Sequence, residues 1–277
     1  MRLSDLRTRV GAPRMGGKAA VTLVVDHGTN NFAKIVLPAL RKFGLRCTLS
    51  LNADMYNPTH RSLAHENQTT WKQIRGWAIN DGIEIANHGK THRDATGEAA
   101  IREEIEGGRL ALEANLSGVP IDTFVQIGTT GDGTKWDGFN DGLKLDRYWS
   151  TFAGRVILDS HALVMGQVPH NSSPTRIYPL DGHPPQGASG YWLDGGADGI
   201  DSAKTKIDQA VEVGGGVILR LHPYLINWPN QISAQQLVDF FAYLKGRIDA
   251  GEIEVLPYRE WALAVQSPQT GSPKPGY

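Results

Sequence analysis

Short, almost wholly apolar runs alternate along this chain with longer runs whose apolar residues recur every three or four positions. That alternation constrains the fold more than any other feature. Val21–Val25, Cys47–Leu51, Ile83–Ala86, Thr123–Ile127, Val217–Leu221 and Ile253–Leu256 have strand length. Between them, Asn31–Phe43 carries Phe32, Ile35, Val36, Ala39 and Leu40 at helical spacing. Glu98–Leu116 does the same with Ile101, Ile105, Leu112 and Leu116, and Gly44 and Gly118 follow as stops. Trp71–Asn80, Ile200–Val213 and Ser233–Ala250 complete the predicted helices. The middle, Trp136–Gly190, is rich in Gly, Pro, Trp and Asp, with short strands predicted at Tyr148–Phe152, Leu163–Val168 and Arg176–Leu180. Strands separated by helices pair in parallel through right-handed crossovers. Six to eight such units predict an α/β fold, a distorted β/α barrel of seven to eight strands.

The 277 residues suffice for one such domain. The expected layout is an N-terminal extension over 1–18, the barrel over 19–266, and a flexible Pro/Gly/Ser-rich tail over 267–277. A net charge of −1 argues against nucleic acid as the main partner. No run approaches the roughly 18 apolar residues of a membrane span. The single cysteine, Cys47, lies in the apolar run CTLSL and reads as a buried structural thiol. The basic N-terminus lacks the apolar stretch of a signal peptide, so the expected settings are the cytoplasm, a virion, or a chain relieved of its leader. Oligomeric state is not encoded in any of these patterns.

In a β/α barrel the chemistry sits at the C-terminal strand ends. Three of those ends carry polar residues. The first run stops at Asp26-His27-Gly28, which read alone is a turn. The stretch EIANHGKTHRD presents His88 and His92 four residues apart, a spacing that lets two imidazoles face one metal. VILRLHPY ends on His222. Agreement among three separate strand ends favours a site over three unrelated turns. His161, His170 and His183, in the loop-rich middle, read as loop or surface residues. GGADG and VGGGV lack the context of a nucleotide-binding loop.

These residues, in this order, resemble the NodB-type polysaccharide deacetylases (carbohydrate esterase family 4). VVDHG stands where that family has Thr-Phe-Asp-Asp-Gly. EIANHGKTH is similar to its His-[Ser/Thr]-x-x-His motif with the preceding Glu-Ile-[Gly/Ala]-Asn, Gly89 replacing the Ser or Thr. VILRLH stands at its Leu-x-His, with Arg220 at the leucine position, and IEVLPYREW is similar to its closing strand. The resemblance covers most of the chain, from about Val21 to His222.

The resemblance implies that Asp26 is the general base, His222 the general acid, and His27, His88 and His92 the ligands of one divalent metal ion. With His27 at the family's aspartate position the set is three neutral imidazoles, which suits Zn2+. The family's Arg-Pro-Pro-aromatic motif has no counterpart in FVQIGTTGDG. Gly128 is then the candidate for its oxyanion N–H. Arg220, on the same strand face as His222, is the candidate replacement for its arginine, expected to pair with Asp26; the alternative is an outward-pointing side chain. Trp192 and Asp194 of GYWLDGG stand loosely at the fourth motif as candidate substrate contacts. Trp136, Trp149, Trp192 and Trp228 could stack on sugar rings or pack in the core. The implied activity is removal of acetyl groups from glycans, by N- or O-deacetylation. The alternatives are a hydrolase of small non-glycan amides or esters, and a degenerate domain that binds glycan without turnover.

Overall fold

A computed structural model describes residues 3–55, 69–127, 136, 150–166, 176–185 and 187–266. Helix α1, Leu3–Val10, precedes β1, Ala19–Asp26. Helix α2 runs through Thr29–Asn31, a π-helical Phe32–Val36 and Leu37–Phe43, and ends at Gly44 in the left-handed region. There follow β2, Thr48–Leu51; α3, Trp71–Asn80; β3, Glu84–Asn87; and α4, built from Glu98–Arg102, a π-helical Glu103–Gly107 and Gly108–Asn115. Next are β4, Thr123–Val125; α5, Phe152–Ser160; β5, Leu163–Met165; β6, Tyr191–Trp192; α6, Gly196–Val213; and β7, Gly216–Leu221. Helix α7, Ala234–Asp249, strand β8, Ile253–Val255, and α8, Tyr258–Trp261, are the last described elements.

All named strand pairs are parallel, in the order β5-β4-β3-β2-β1-β7-β6. One edge of β1 is shared. β8 pairs with its first residues, Ala19–Val21, and β2 with its last, Val24–Asp26. The curled sheet closes through the segment at 187–192. Gly187 N donates to Val164 O and Gly166 N to Ala188 O, each at 3.0 Å, while Tyr191 and Trp192 pair with Leu219 and Arg220 of β7. The expected distorted barrel is therefore the observed fold.

Alternation along each strand sorts residues to two sides. Val21, Leu23, Val25, Leu49, Ile85, Leu219 and Leu221 pack outward against Phe32, Leu40, Trp77, Leu112, Ile207 and Phe241 of the helices. Ala20, Val24, Ala86, Val125, Met165 and Ile218 form a second cluster, with Tyr258 and Trp261. Polar members of this second alternation occupy both ends of the barrel. At the N-terminal end of the strands, buried Glu84 accepts from Thr48 Oγ1 at 2.8 Å, Thr123 Oγ1 at 2.7 Å and Arg259 N at 2.8 Å. Asp26 stands at the other end. Leu6 of α1 and Met15 are buried with Trp261 and Leu263, so this part of the N-terminal extension packs into the barrel's own core.

Three sequence expectations change. Tyr148–Phe152 is not a strand where it is described: Thr151 caps α5, its side chain accepting from Gly154 N at 3.0 Å, and Phe152 opens the helix. Arg176–Leu180 contributes an isolated antiparallel bridge, Tyr178 with Gly216, rather than a strand. His161 lies in the loop after α5, one of its two expected settings, but it is buried rather than at the surface. Its Nδ1 meets Ser160 Oγ at 2.9 Å, and its Nε2 accepts from Asn87 Nδ2 at 3.2 Å. His183 is exposed, as expected. Trp136 is buried in the core, Trp149 and His170 lie outside the described residues, and the tail at 267–277 does too.

Burial pushes the His161 imidazole down to about 3, with the Arg109 charge adding to the effect. Both ring nitrogens are satisfied in the neutral form, and a proton on Nε2 would face the Asn87 amide hydrogens. The unfolded histidine takes up a proton below about 6.5, whereas the folded one does not until about 3. Stability from this residue is therefore present above pH 6.5 and lost as pH falls through that window, at up to about 1.4 kcal/mol per pH unit. Urea unfolding of wild type and His161→Gln between pH 4 and 7 should show the variant's dependence shallower by about one proton; parallel curves would contradict this.

Candidate active site

The C-terminal strand ends gather the polar residues singled out in the sequence. Asp26 closes β1 and is fully buried. Register places Ser50 of β2 beside it, and Ser50 Oγ donates to Asp26 Oδ1 at 2.6 Å. From the other side, Arg220 of β7 donates from Nη2 to Asp26 Oδ2 at 2.6 Å. Arg220 is itself buried, so it does not point outward, and its expected partner is its observed one. Burial alone would push the Asp26 carboxyl up. The Arg220 charge, the protonated forms of the nearby imidazoles and the Ser50 hydrogen bond outweigh that and hold it well below the usual carboxylate range.

Behind Asp26 the chain turns sharply. His27 has φ 41° and Gly28 φ 63°. A Cβ on Gly28 would lie 3.0 Å from Tyr224 N and 3.2 Å from Pro223 Cβ, so glycine is required both for conformation and for space. This turn sends the His27 ring toward those of His88 and His92, with centroids 5.6 and 5.1 Å away; His88 and His92 are 5.0 Å apart. One ligand nitrogen from each of the three lies within 4.8 Å of the other two, the one such three-residue group among the described residues. The His88 Nδ1–H donates to Val125 O at 2.9 Å, which leaves Nε2 for the shared centre. Burial pushes the His88 imidazole down to about 4 despite the opposing Asp26 charge, so the ring is in the neutral, ligating form at pH 7. The donor set therefore fits a divalent ion, and three imidazoles fit Zn2+.

Gly89 also has a local reason. With φ 79°, its Cβ would come within 3.1 Å of Glu104 Oε2. Glu104 accepts from Thr91 N at 2.9 Å and from Thr91 Oγ1, and so braces the loop between His88 and His92.

His222 follows β7. Its Nδ1–H donates to Asp194 Oδ2 at 2.7 Å and its backbone N–H to Asp194 Oδ1 at 2.8 Å. Its Nε2 is 3.9 Å from Asp26 Oδ2. The Trp192 ring stacks on His222, centroids 4.5 Å apart at 9°, and lies 4.0 Å from Arg220 Cζ. The site thus assembles Asp26, His27, His88, His92, Asp194, Trp192, Arg220 and His222. Gly128 lies outside the described residues. Trp228 stands further out, edge-on to Tyr224 at 5.9 Å.

Three contributors were not singled out in the sequence: Ser50, Tyr224 and Asn52. The Tyr224 ring stacks on His27 at 5.5 Å, and Asn52 Nδ2 donates to the His88 carbonyl. Ser50 and Asn52 interrupt or end the apolar run TLSL at a strand terminus, the signal already used for Asp26. Tyr224 carried no such signal.

The polysaccharide deacetylase family profile matches residues 14–126. No curated protein matches. A family 4 acetyl xylan esterase from Clostridium thermocellum, solved with a cobalt ion, superposes with TM-score 0.51 at 15% identity. That match covers 87% of this chain and 89% of the esterase. A family 4 carbohydrate esterase from Streptomyces lividans, in complex with acetate, gives 0.48 at 16% identity, covering 90% and 98%. A family 4 pseudoenzyme from Bacillus anthracis gives 0.46 at 14%, covering 90% and 68%. Likeness at these identities is a likeness of fold.

Zinc titrated calorimetrically into chelator-treated protein is expected to bind at one equivalent. His88→Ala or His92→Ala should weaken it beyond the roughly 10–100-fold caused by losing an outer-shell partner. Unchanged zinc affinity in both variants would rule out this centre.

Proposed function

We propose that this chain, which carries a polysaccharide deacetylase domain of the NodB type, is a metal-dependent hydrolase that removes acetyl groups from glycans. The observation that carries the reading is the convergence of three imidazoles on one centre beside a buried, ionised carboxylate, with a second carboxylate-held imidazole facing that carboxylate. Held by His27, His88 and His92, Zn2+ would supply Lewis acidity toward the acyl carbonyl and toward water.

The chain's own residues divide the proton work. Asp26 accepts the proton of the attacking water through a carboxylate that Arg220 and Ser50 keep ionised and oriented. His222 donates to the leaving nitrogen or oxygen. Because Asp194 takes the Nδ1 proton as a hydrogen bond, the proton delivered is the one on Nε2, the nitrogen directed toward Asp26. An amine is a poor leaving group and needs that acid; an alcohol needs it less. Tyr224 gives the site an aromatic wall suited to a sugar ring.

The test is acetate release by the zinc-loaded protein from N-acetylglucosamine oligomers and acetylated xylan, with small acetamides and acetate esters alongside. Acetate from glycans is expected, and Asp26→Asn should lower kcat by about 10²–10⁴-fold while zinc still binds. Release from small amides alone would replace the glycan assignment. No release from any substrate, or an unchanged Asp26→Asn, would overturn the hydrolase reading.

A further inference from the structure

Arg220 reaches Asp26 with little to hold it there. Its Nη2 makes the one hydrogen bond to Oδ2, and its buried Nε has no acceptor among the described residues. A guanidinium on a long, flexible stem needs a wall as well as a partner, and the wall is the Trp192 indole at 4.0 Å from Cζ. The same indole stacks within 9° of the His222 ring, so one side chain touches the partner of the proposed base and the proposed acid.

The backbone around Trp192 is pinned for this contact. Trp192 is in register with Arg220, and Leu193 N donates to Arg220 O at 2.8 Å. Arg176 Nη1 donates to Gly190 O at 2.8 Å. A Cβ on Gly190 would lie 2.8 Å from Ile218 Cγ2 and 3.0 Å from Arg220 Cγ, so only glycine lets this strand press so closely on β7.

Resting on the deacetylase reading, we infer that Trp192 is a positioning residue that holds Arg220 against Asp26 and fixes the plane of His222, and so locks base and acid into one frame. It acts through these two side chains rather than on the substrate. Arg220 and His222 lie two residues apart on one face at the end of β7, and the indole bears on both; without it Arg220 keeps its single hydrogen bond to Asp26 and the His222 ring its Asp194 contact, with no wall to fix their planes.

Crystal structures and steady-state kinetics of Trp192→Leu and Trp192→Phe test this. In Trp192→Leu the Arg220–Asp26 hydrogen bond should be lost or split between conformers, with kcat down by about 10²-fold, KM within about twofold and zinc affinity unchanged. Trp192→Phe, which keeps a ring, should restore the hydrogen bond and most of kcat. Trp192→Met, apolar bulk without a ring, carries the same expectation as Leu where Leu does not fold. Retention of the Arg220–Asp26 bond and the His222 plane in the ringless variants would overturn the inference. So would a raised KM with unchanged kcat, which would make Trp192 a substrate contact. If the wild type releases no acetate, the proposed function falls, yet the variant structures still decide the role of Trp192.

Discussion

The ion pair between Asp26 and Arg220 is the interaction on which the rest of the site depends. Both groups are buried, and burying either alone would cost several kcal/mol. The pair survives because the barrel supplies what it needs. Parallel register sets β1 beside β7, Ser50 satisfies the second carboxylate oxygen, and Trp192 backs the guanidinium. Asp26 is thereby fixed in its charged form within reach of His222, and the chain leaving it must bend through left-handed His27 and Gly28. That bend delivers the third imidazole to His88 and His92. Ion pair, turn and histidine cluster are one construction at one end of the sheet.

The two polar layers of the barrel differ in kind. Glu84, at the N-terminal strand ends, accepts from two hydroxyls and a backbone N–H and is pushed up by its burial, which outweighs the nearby Arg259 charge and these hydrogen bonds. It ties β2, β3, β4 and α8 together around one carboxyl. Asp26 has a full cation beside it and is pushed down. The first arrangement joins strand ends through hydrogen bonds and closes the bottom of the barrel. The second keeps an anion available as a proton acceptor, which packing alone would never require.

Much of this was legible because barrels separate packing from chemistry along each strand. Apolar runs identified β1, β2, β3 and β7, and polar residues at their ends identified Asp26, His27, His88, His92 and His222. Arg220 was legible by a subtler route. Two-residue periodicity put it on the face of His222, and a charge there needed a carboxylate. What stayed hidden depends on tertiary pairing. Strand β6 is two residues long and exists because β7 pairs with it. Helix α5 was masked by a β-rich start, although Ala153, Val156 and Ile157 have helical spacing and Thr151 is an N-cap. The burial of His161 stayed hidden because nothing nearby in sequence announces Asn87 as its partner. Ser50 gave a signal, but a serine in an apolar strand is also an ordinary packing residue.

A double-mutant cycle on Asp26 and Arg220 measures their pairing with neither metal nor substrate present. Asp26→Asn leaves a buried cation unpaired, Arg220→Leu leaves a buried anion unpaired, and the double variant removes both charges. Each single variant is expected to lose about 3–5 kcal/mol of unfolding free energy, and the double variant to recover about 3 kcal/mol of the summed loss. Additive losses would mean that the two groups do not depend on each other, and would contradict an active site organised around their pairing.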